Sequence, residues 1–304
     1  MTSTWFDPHL IEDPSDYRLD DIRDLNSSDL RPDLPDGKGL VIAEGNLVVP
    51  RLLGSRYPVR TIVGFGSKLA ALERQLRAEG FFSADAPTAL HTRPPQVLEV
   101  SREVLRRVAG FDMHRGLVAA ADRVEELGVD EVLNHVENSG TETKVVAVLE
   151  GVGDHENIGA LFRNAAGLSV DAVLFGAATA DPLYRRSVRV SMGHVLRIPF
   201  ARFAGKTTTW QRSLSTLQER GYTVIALTPN TEQSLTEAVG QARRNAAAAD
   251  REARIAIMVG AEGPGLTEHA MRAADIRAAI PMAPGTDSLN VATAAAIGFY
   301  AARL

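Results

Sequence analysis

Cysteine is absent from all 304 residues, which excludes disulfides, a thiol nucleophile and any thiolate metal site. No apolar run approaches the roughly 18 residues that a membrane-spanning helix needs. The start, Met1 to Pro35, is polar and acidic, unlike a secretory leader, and a cytoplasmic location is expected. The seven histidines (His9, His91, His114, His135, His155, His194 and His269) show no HExxH-like spacing, so no metal is expected. Two glycine-bearing segments also lack what would assign them to common nucleotide sites. VGAEGPGL has no GK[ST] ending, so it is not a phosphate-binding P-loop. In Gly151-Val152-Gly153 the third glycine of a dinucleotide fingerprint would fall at position 156, which is glutamate. A nicotinamide-dependent oxidoreductase is therefore disfavoured.

What is present is an ordinary globular composition, 45% hydrophobic and 23% charged, long enough for one large domain or two. The net charge of −5 is unpromising for a nucleic-acid partner, but its distribution matters more. Residues 1–36 hold ten Asp/Glu against three Lys/Arg, which leaves +2 for the rest of the chain. Pro182 to Gln218 contains no acid and seven bases: Arg185, Arg186, Arg189, Arg197, Arg202, Lys206 and Arg212. Such a stretch reads equally as a phosphate footprint or as a solvated face.

Residues 1–36 read as an acidic extension with little apolar periodicity, with a packed arm as the alternative, and the compact region is expected to begin near Gly37. A small α/β domain then spans 37–121. Its expected strands are Leu40–Ala43, Thr61–Phe65 and Leu117–Ala121, with weaker candidates at Pro87–Leu90 and Gln96–Val100. Helices are expected over Glu44–Leu53, Ser67–Glu79 and Ser101–Ala109. The charged stretch 122–144 is expected to be a linker. In 145–304, strands at Val145–Leu149, Ala172–Phe175, Thr223–Leu227, Arg254–Val259 and Ile276–Ile280 alternate with helices at Asn157–Ala166, Tyr184–Met192, Thr207–Arg220, Glu232–Ala249, from Thr267, and Ser288–Ala302. Alternation at crossover length predicts a parallel sheet, with ligands at the carboxyl ends of its strands.

Three loops fall at those ends: Gly151–Ala165, Val259–Leu266 and Pro281–Tyr300. The glycines of the second free its backbone to approach a ligand. Arg163 sits in the apolar stretch ALFRNAAG, where a lone arginine is more often an ion-pair partner than a site residue. Asp287 or Ser288 is expected to cap the last helix, whose small residues allow close packing against another helix or a ligand.

In order, NIGALFRNAAGLSVDAVLF, VGAEGPGL and IPMAPGTDSLNVATAAAI resemble the three motifs of the SpoU family of the SPOUT methyltransferases. DPLYRRSVRVSMGHVLRIPF resembles its connecting block, and the match covers about 145–304. One departure is DHENIG, where the family commonly has Pro-Gly before the Asn. The region 39–121 loosely resembles the ribosomal-protein-like RNA-binding domain often attached in that family. The resemblance implies an α/β fold whose C-terminal parallel-sheet domain ends in a deep trefoil knot, beside the smaller N-terminal RNA-binding domain. It implies a homodimer with the site near the subunit interface. It also implies transfer of a methyl group from S-adenosylmethionine to a ribose 2′-hydroxyl of rRNA or tRNA. Carried over by motif, Asn157, Arg163, Glu262, Ser288 and Asn290 form the catalytic neighbourhood. The cofactor rests on Leu227, Thr228, Gly260, Ala261, Glu262, Gly263, Ile280, Met282, Ser288 and Leu289, and Arg185, Arg186 and Arg189 meet RNA. A guanidinium donates without accepting, so Arg163 is read as gripping a phosphate and polarising the hydroxyl. The alternative is a catalytically inactive RNA-binding protein of the same fold.

Overall fold

A computed structural model describes residues 5–26, 37–83 and 93–304 of the chain. Its contacts separate into two units, one of Met1–Glu125 with Leu183–Arg197 and the other of Glu126–Pro182 with Ile198–Leu304.

In the first unit, strands β1 (Pro8–Ile11), β2 (Leu40–Glu44), β3 (Val59–Gly64), β4 (Gln96–Val100) and β5 (Leu117–Asp122) form a mixed sheet in the order β1-β4-β3-β5-β2. Helices α1 (Val48–Leu53), α2 (Gly66–Ala78) and α3 (Arg102–Ala109) accompany it. Helix α3 carries both end signals: Ser101 accepts a hydrogen bond from Val104 N, and Gly110 ends the helix at φ +80°. The acidic start is not a bare extension. Residues 8–11 pair in parallel with β4, and Leu19, Ile22 and Leu25 are fully buried among Leu98, Leu105 and Val108. Three large apolar side chains removed from water contribute roughly 1.5–3 kcal/mol each, enough to hold a charged segment in place. The expected helix from Glu44 begins later. Glu44 ends β2, the chain turns at Gly45 (φ +87°), and α1 starts at Val48. The strand expected at Pro87–Leu90 lies outside the described residues.

The second unit is the parallel sheet. Strands β6 (Thr143–Leu149), β7 (Ala172–Phe175), β8 (Phe200–Arg202), β9 (Thr223–Leu227), β10 (Ala253–Val259) and β11 (Ile276–Ala278) run in the order β11-β9-β10-β6-β7-β8, every pairing parallel. The central strands are apolar on both faces because both faces are covered; Val145 to Leu149 are all buried. Helices α4 (Val129–Glu137), α5 (His155–Gly167), α7 (Ser215–Glu219), α8 (Leu235–Ala248), α9 (Glu268–Ala273) and α10 (Val291–Arg303) complete the unit. Helix α4 lies in the stretch expected to be a linker, yet Val132, Leu133 and Val136 join the core. The single helix expected over Thr207–Arg220 is instead a 3-10 turn, Trp210–Leu214, running into α7.

The helix Arg185–Val190, α6 in chain order, packs on β2 and belongs to the first unit. The basic run is therefore divided between the two units.

After β10, in the middle of its sheet, the chain runs to the edge strand β11, and α10 then returns to pack on α5, β10 and β6. Small residues permit it: a Cβ on Gly298 of α10 would lie 2.8 Å from Ile257 Cγ2 and 3.2 Å from Leu227 Cδ1. No described helix is long and apolar enough to cross a membrane.

Candidate active site

Parallel pairing brings the carboxyl ends of neighbouring strands to one edge. Val259 of β10 lies opposite Leu149 of β6, and Leu227 of β9 lies opposite Ala278 of β11. The loops that leave these ends enclose a cavity of about 470 Å³, a size that suits a small ligand. Its wall includes Leu227–Asn230, Val259–Leu266, Ile280, Met282 and Asp287–Val291. All ten residues expected to hold the cofactor line it.

The glycine-rich loop is folded tightly on itself. Ala261 bridges to Gly265, and Gly263 and Gly265 take φ of +84° and +70°. Gly260 is required for closure, since a Cβ there would lie 2.2 Å from Gly265 C and 2.2 Å from Leu266 N. Both are backbone atoms, which cannot rotate away.

A hydrogen-bond cluster joins the three motifs beside this cavity. Asn290 Oδ1 accepts from Ala292 N (3.0 Å) and Thr293 N (3.2 Å), capping α10. The cap is therefore Asn290 and not Asp287 or Ser288, and the helix begins at Val291. With its oxygen spent on two backbone donors, the Asn290 amide has one possible orientation. Its Nδ2 donates to Asn157 Oδ1 (2.9 Å) and to Glu262 Oε1 (3.0 Å). That fixes Asn157 in turn: its oxygen faces Asn290, and its amide N–H groups are left for another partner. Asn157 stands buried in the first turn of α5. In the DHENIG turn, Asp154 caps the helix by accepting from Glu156 N at 2.8 Å, so the departure from Pro-Gly still yields a capped start. Asn164 Nδ2 donates to Ala292 O at 2.9 Å, tying α5 to the start of α10.

The remaining expected residues divide. Ser288 is exposed on the cavity wall. Arg163 is exposed, does not line the cavity, and makes no hydrogen bond or ion pair among the described residues. The ion-pair reading of this arginine therefore has no partner to support it. Arg185 has several in the first unit. Its Nη1 donates to buried Glu44 Oε1 at 2.7 Å, its Nη2 to Asn26 Oδ1 at 3.2 Å, and the guanidinium lies over Phe111. Held this way it is a structural cation. Arg186 is exposed and Arg189 half-buried.

Asn230 lines the cavity and was not singled out from sequence, and Asp287, expected only as a helix cap, lines it as well.

Residues 144–300 match the SpoU rRNA Methylase family. An uncharacterized tRNA/rRNA methyltransferase of Mycobacterium tuberculosis is 52% identical over 289 residues, covering 95% of this chain and 89% of that protein. The 23S rRNA (guanosine-2'-O-)-methyltransferase RlmB of Ralstonia nicotianae is 29% identical over 254 residues, 80% of this chain and 94% of its own. The fold is shared with an AdoMet-bound rRNA methyltransferase from Sinorhizobium meliloti, at a TM-score of 0.70 and 23% identity over 97% of both chains. With the three motifs joined at one strand-end cavity, the chain belongs to the SpoU rRNA methylase family and is by class an RNA methyltransferase.

Proposed function

We propose that this protein is an S-adenosylmethionine-dependent methyltransferase that modifies a ribose 2′-hydroxyl of ribosomal or transfer RNA, working as a homodimer. The observation that carries the proposal is the Asn290-centred cluster, which ties Asn157 and Glu262 together at the cavity.

The cavity's chemistry fits the cofactor. Leu227, Ile280, Met282 and Leu289 offer apolar surface for an adenine, and backbone from 228–230 and 260–265 offers polar edges for ribose and amino-acid groups. Glu262 and Asp287 are its charged side chains, and no Lys, Arg or His lines it among the described residues. That balance suits a sulfonium and leaves the pyrophosphate of a dinucleotide without a counterion. When bound, adenosylmethionine supplies a methyl group activated by its positive sulfur. The protein's share is alignment of the nucleophile, a contribution of roughly 7–11 kcal/mol in good cases. Asn157 offers its amide N–H to the incoming ribose. Glu262 Oε2, which takes no hydrogen bond among the described residues, offers an acceptor. Arg163 grips the neighbouring phosphate and polarises the hydroxyl. Because Arg163 stands off the cavity wall of its own chain, a homodimer with the site at its subunit boundary gives it a route to a second chain's cavity.

A ribose 2′-hydroxyl is the group that distinguishes RNA from DNA, and RlmB carries 2'-O in its name. An inactive RNA-binding protein has no need of an oriented Asn157–Asn290–Glu262 set. Calorimetry with S-adenosylmethionine and NAD, followed by mapping of ribose methylation in cellular RNA with and without the gene, tests the proposal. Tight NAD binding without a response to adenosylmethionine, or loss of a base methyl group instead of a 2′-O-methyl, would overturn it.

A further inference from the structure

Glu150 is the residue after β6, and it is buried. A buried carboxylate is costly unless hydrogen bonds compensate it, and this one is surrounded by donors. Its Oε1 accepts from Trp210 Nε1 (2.8 Å), Thr267 Oγ1 (2.9 Å) and Gln211 Nε2 (3.2 Å), and its Oε2 accepts from Thr267 N (2.7 Å). None of these donors is a cation, so the arrangement resembles an anion socket more than a salt bridge.

The placement of the donors matters more than their number. Glu150 N donates to Val259 O at 3.0 Å, the last residue of β10 before the glycine-rich loop. Its carboxylate meanwhile holds Thr267, the residue that follows the loop and caps α9. One residue thus grips both ends of 260–266, the segment that forms a wall of the cavity and carries Glu262. Inside those ends the loop is so tight that a Cβ on Gly260 would meet the backbone of Gly265 and Leu266.

We infer that Glu150 is the positioning residue that keeps the glycine-rich loop closed in its ligand-binding shape, a reading that rests on the proposed cofactor site. Glutamine cannot replace it. Thr267 Oγ1 can turn to accept, whereas Gln211 Nε2 also donates to Thr207 O at 2.8 Å and is held from flipping. Thr267 N and Trp210 Nε1 are donors only, and each faces a different carboxylate oxygen. Whichever way a glutamine amide is turned, its NH₂ group meets one of them.

The test compares three variants of the full-length protein by calorimetry with S-adenosylmethionine and by thermal melting. Glu150→Gln and Thr267→Val loosen the loop end. Trp210→Phe removes a donor to the same carboxylate but leaves the loop's two attachments in place. The expected result is cofactor affinity lower by about tenfold to a hundredfold in the first two, a loss of about 1.4–2.8 kcal/mol in binding. RNA affinity without cofactor should be unchanged. Trp210→Phe should bind cofactor within about threefold of wild type even where its melting temperature falls. If Glu150→Gln fails to fold, Thr267→Val against Trp210→Phe decides. The inference is overturned if cofactor affinity in all variants simply follows the melting temperature, or if Glu150→Gln binds as wild type does. Failure of the wild type itself to bind adenosylmethionine would instead refute the proposed function.

Discussion

Asn290 does two things that substitution can separate. Its Oδ1 caps α10 through Ala292 N and Thr293 N, and its Nδ2 holds Asn157 and Glu262. Asn290→Ala removes both. Loss of the cap costs about 1 kcal/mol, which lowers the melting temperature of a unit this size by roughly 2–4 °C. Asn290→Asp keeps the cap, and a negative charge at a helix N-terminus is favourable, so stability should be close to wild type. The site is damaged all the same. Where Nδ2 stood there is now an acceptor, facing Asn157 Oδ1 at 2.9 Å and Glu262 Oε1 at 3.0 Å. Two carboxylates at that distance repel by roughly 1.4 kcal/mol even at the dielectric constant of water. The exposed Glu262 escapes the repulsion by moving, and Asn157, with its acceptor unmet, turns its amide. Both oriented groups are lost together. Single-turnover methylation should therefore fall by about 10²–10³ in each variant, the usual cost of an oriented donor at a reacting centre. Thermal melts should separate alanine from aspartate. Near-normal turnover from Asn290→Asp, or activity in either variant that tracks only the folded fraction, would refute the argument.

Substitutions at four other places give further expected outcomes. Arg163→Ala should reduce turnover by about 10²–10³ without changing the melting temperature, because this exposed side chain has no partner to lose among the described residues. Arg163→Lys should rescue little, since it lacks the planar fork. If Arg163 serves a second chain's site, mixed dimers of Arg163→Ala with Glu262→Ala should regain activity that neither parent shows, and their failure to do so places Arg163 in its own chain's site. Arg185→Ala strands the buried Glu44 carboxylate and should destabilise the first unit by about 3–5 kcal/mol, read by denaturant unfolding. Replacing Arg186 and Arg189 together should instead flatten the salt dependence of RNA binding; an unchanged slope places the phosphate contacts elsewhere. Gly260→Ala should abolish cofactor binding, and full affinity by calorimetry would show that the loop can open where the structure holds it closed.

Local pattern alone determined a good part of this molecule. Apolar runs such as Val145–Leu149 and Arg254–Val259 announce covered parallel strands because a strand buried on both faces has no polar side. Ser101 and Gly110 mark the ends of α3 because end geometry depends on a residue's own φ and its short-range hydrogen bonds. The ordered motifs led to the cavity wall because a strand end and its following loop are contiguous in sequence. Charge hid other elements. Helix α4 carries Val129, Val132, Leu133 and Val136 at helical spacing, but Asp130, Glu131 and the flanking acids made the stretch read as a linker. The acids of the first residues likewise concealed Leu19, Ile22 and Leu25.

Tertiary structure decided what depends on partners far away in sequence. Arg185 lies in an acid-free run of bases that suggests exposure, and Glu44, 141 positions away, pairs with it. Asp287 and Ser288 were the caps expected for the last helix, and Asn290 takes that place because its Oδ1 reaches Ala292 N and Thr293 N. Glu150 carries no signal of its own: an acid after a strand is ordinary until Trp210 and Thr267 converge on it. Hydrogen-bond partners 60 and 117 positions apart leave no periodicity to read. The pairing of β6 with β10 sets Glu150 beside the loop that leads to Thr267.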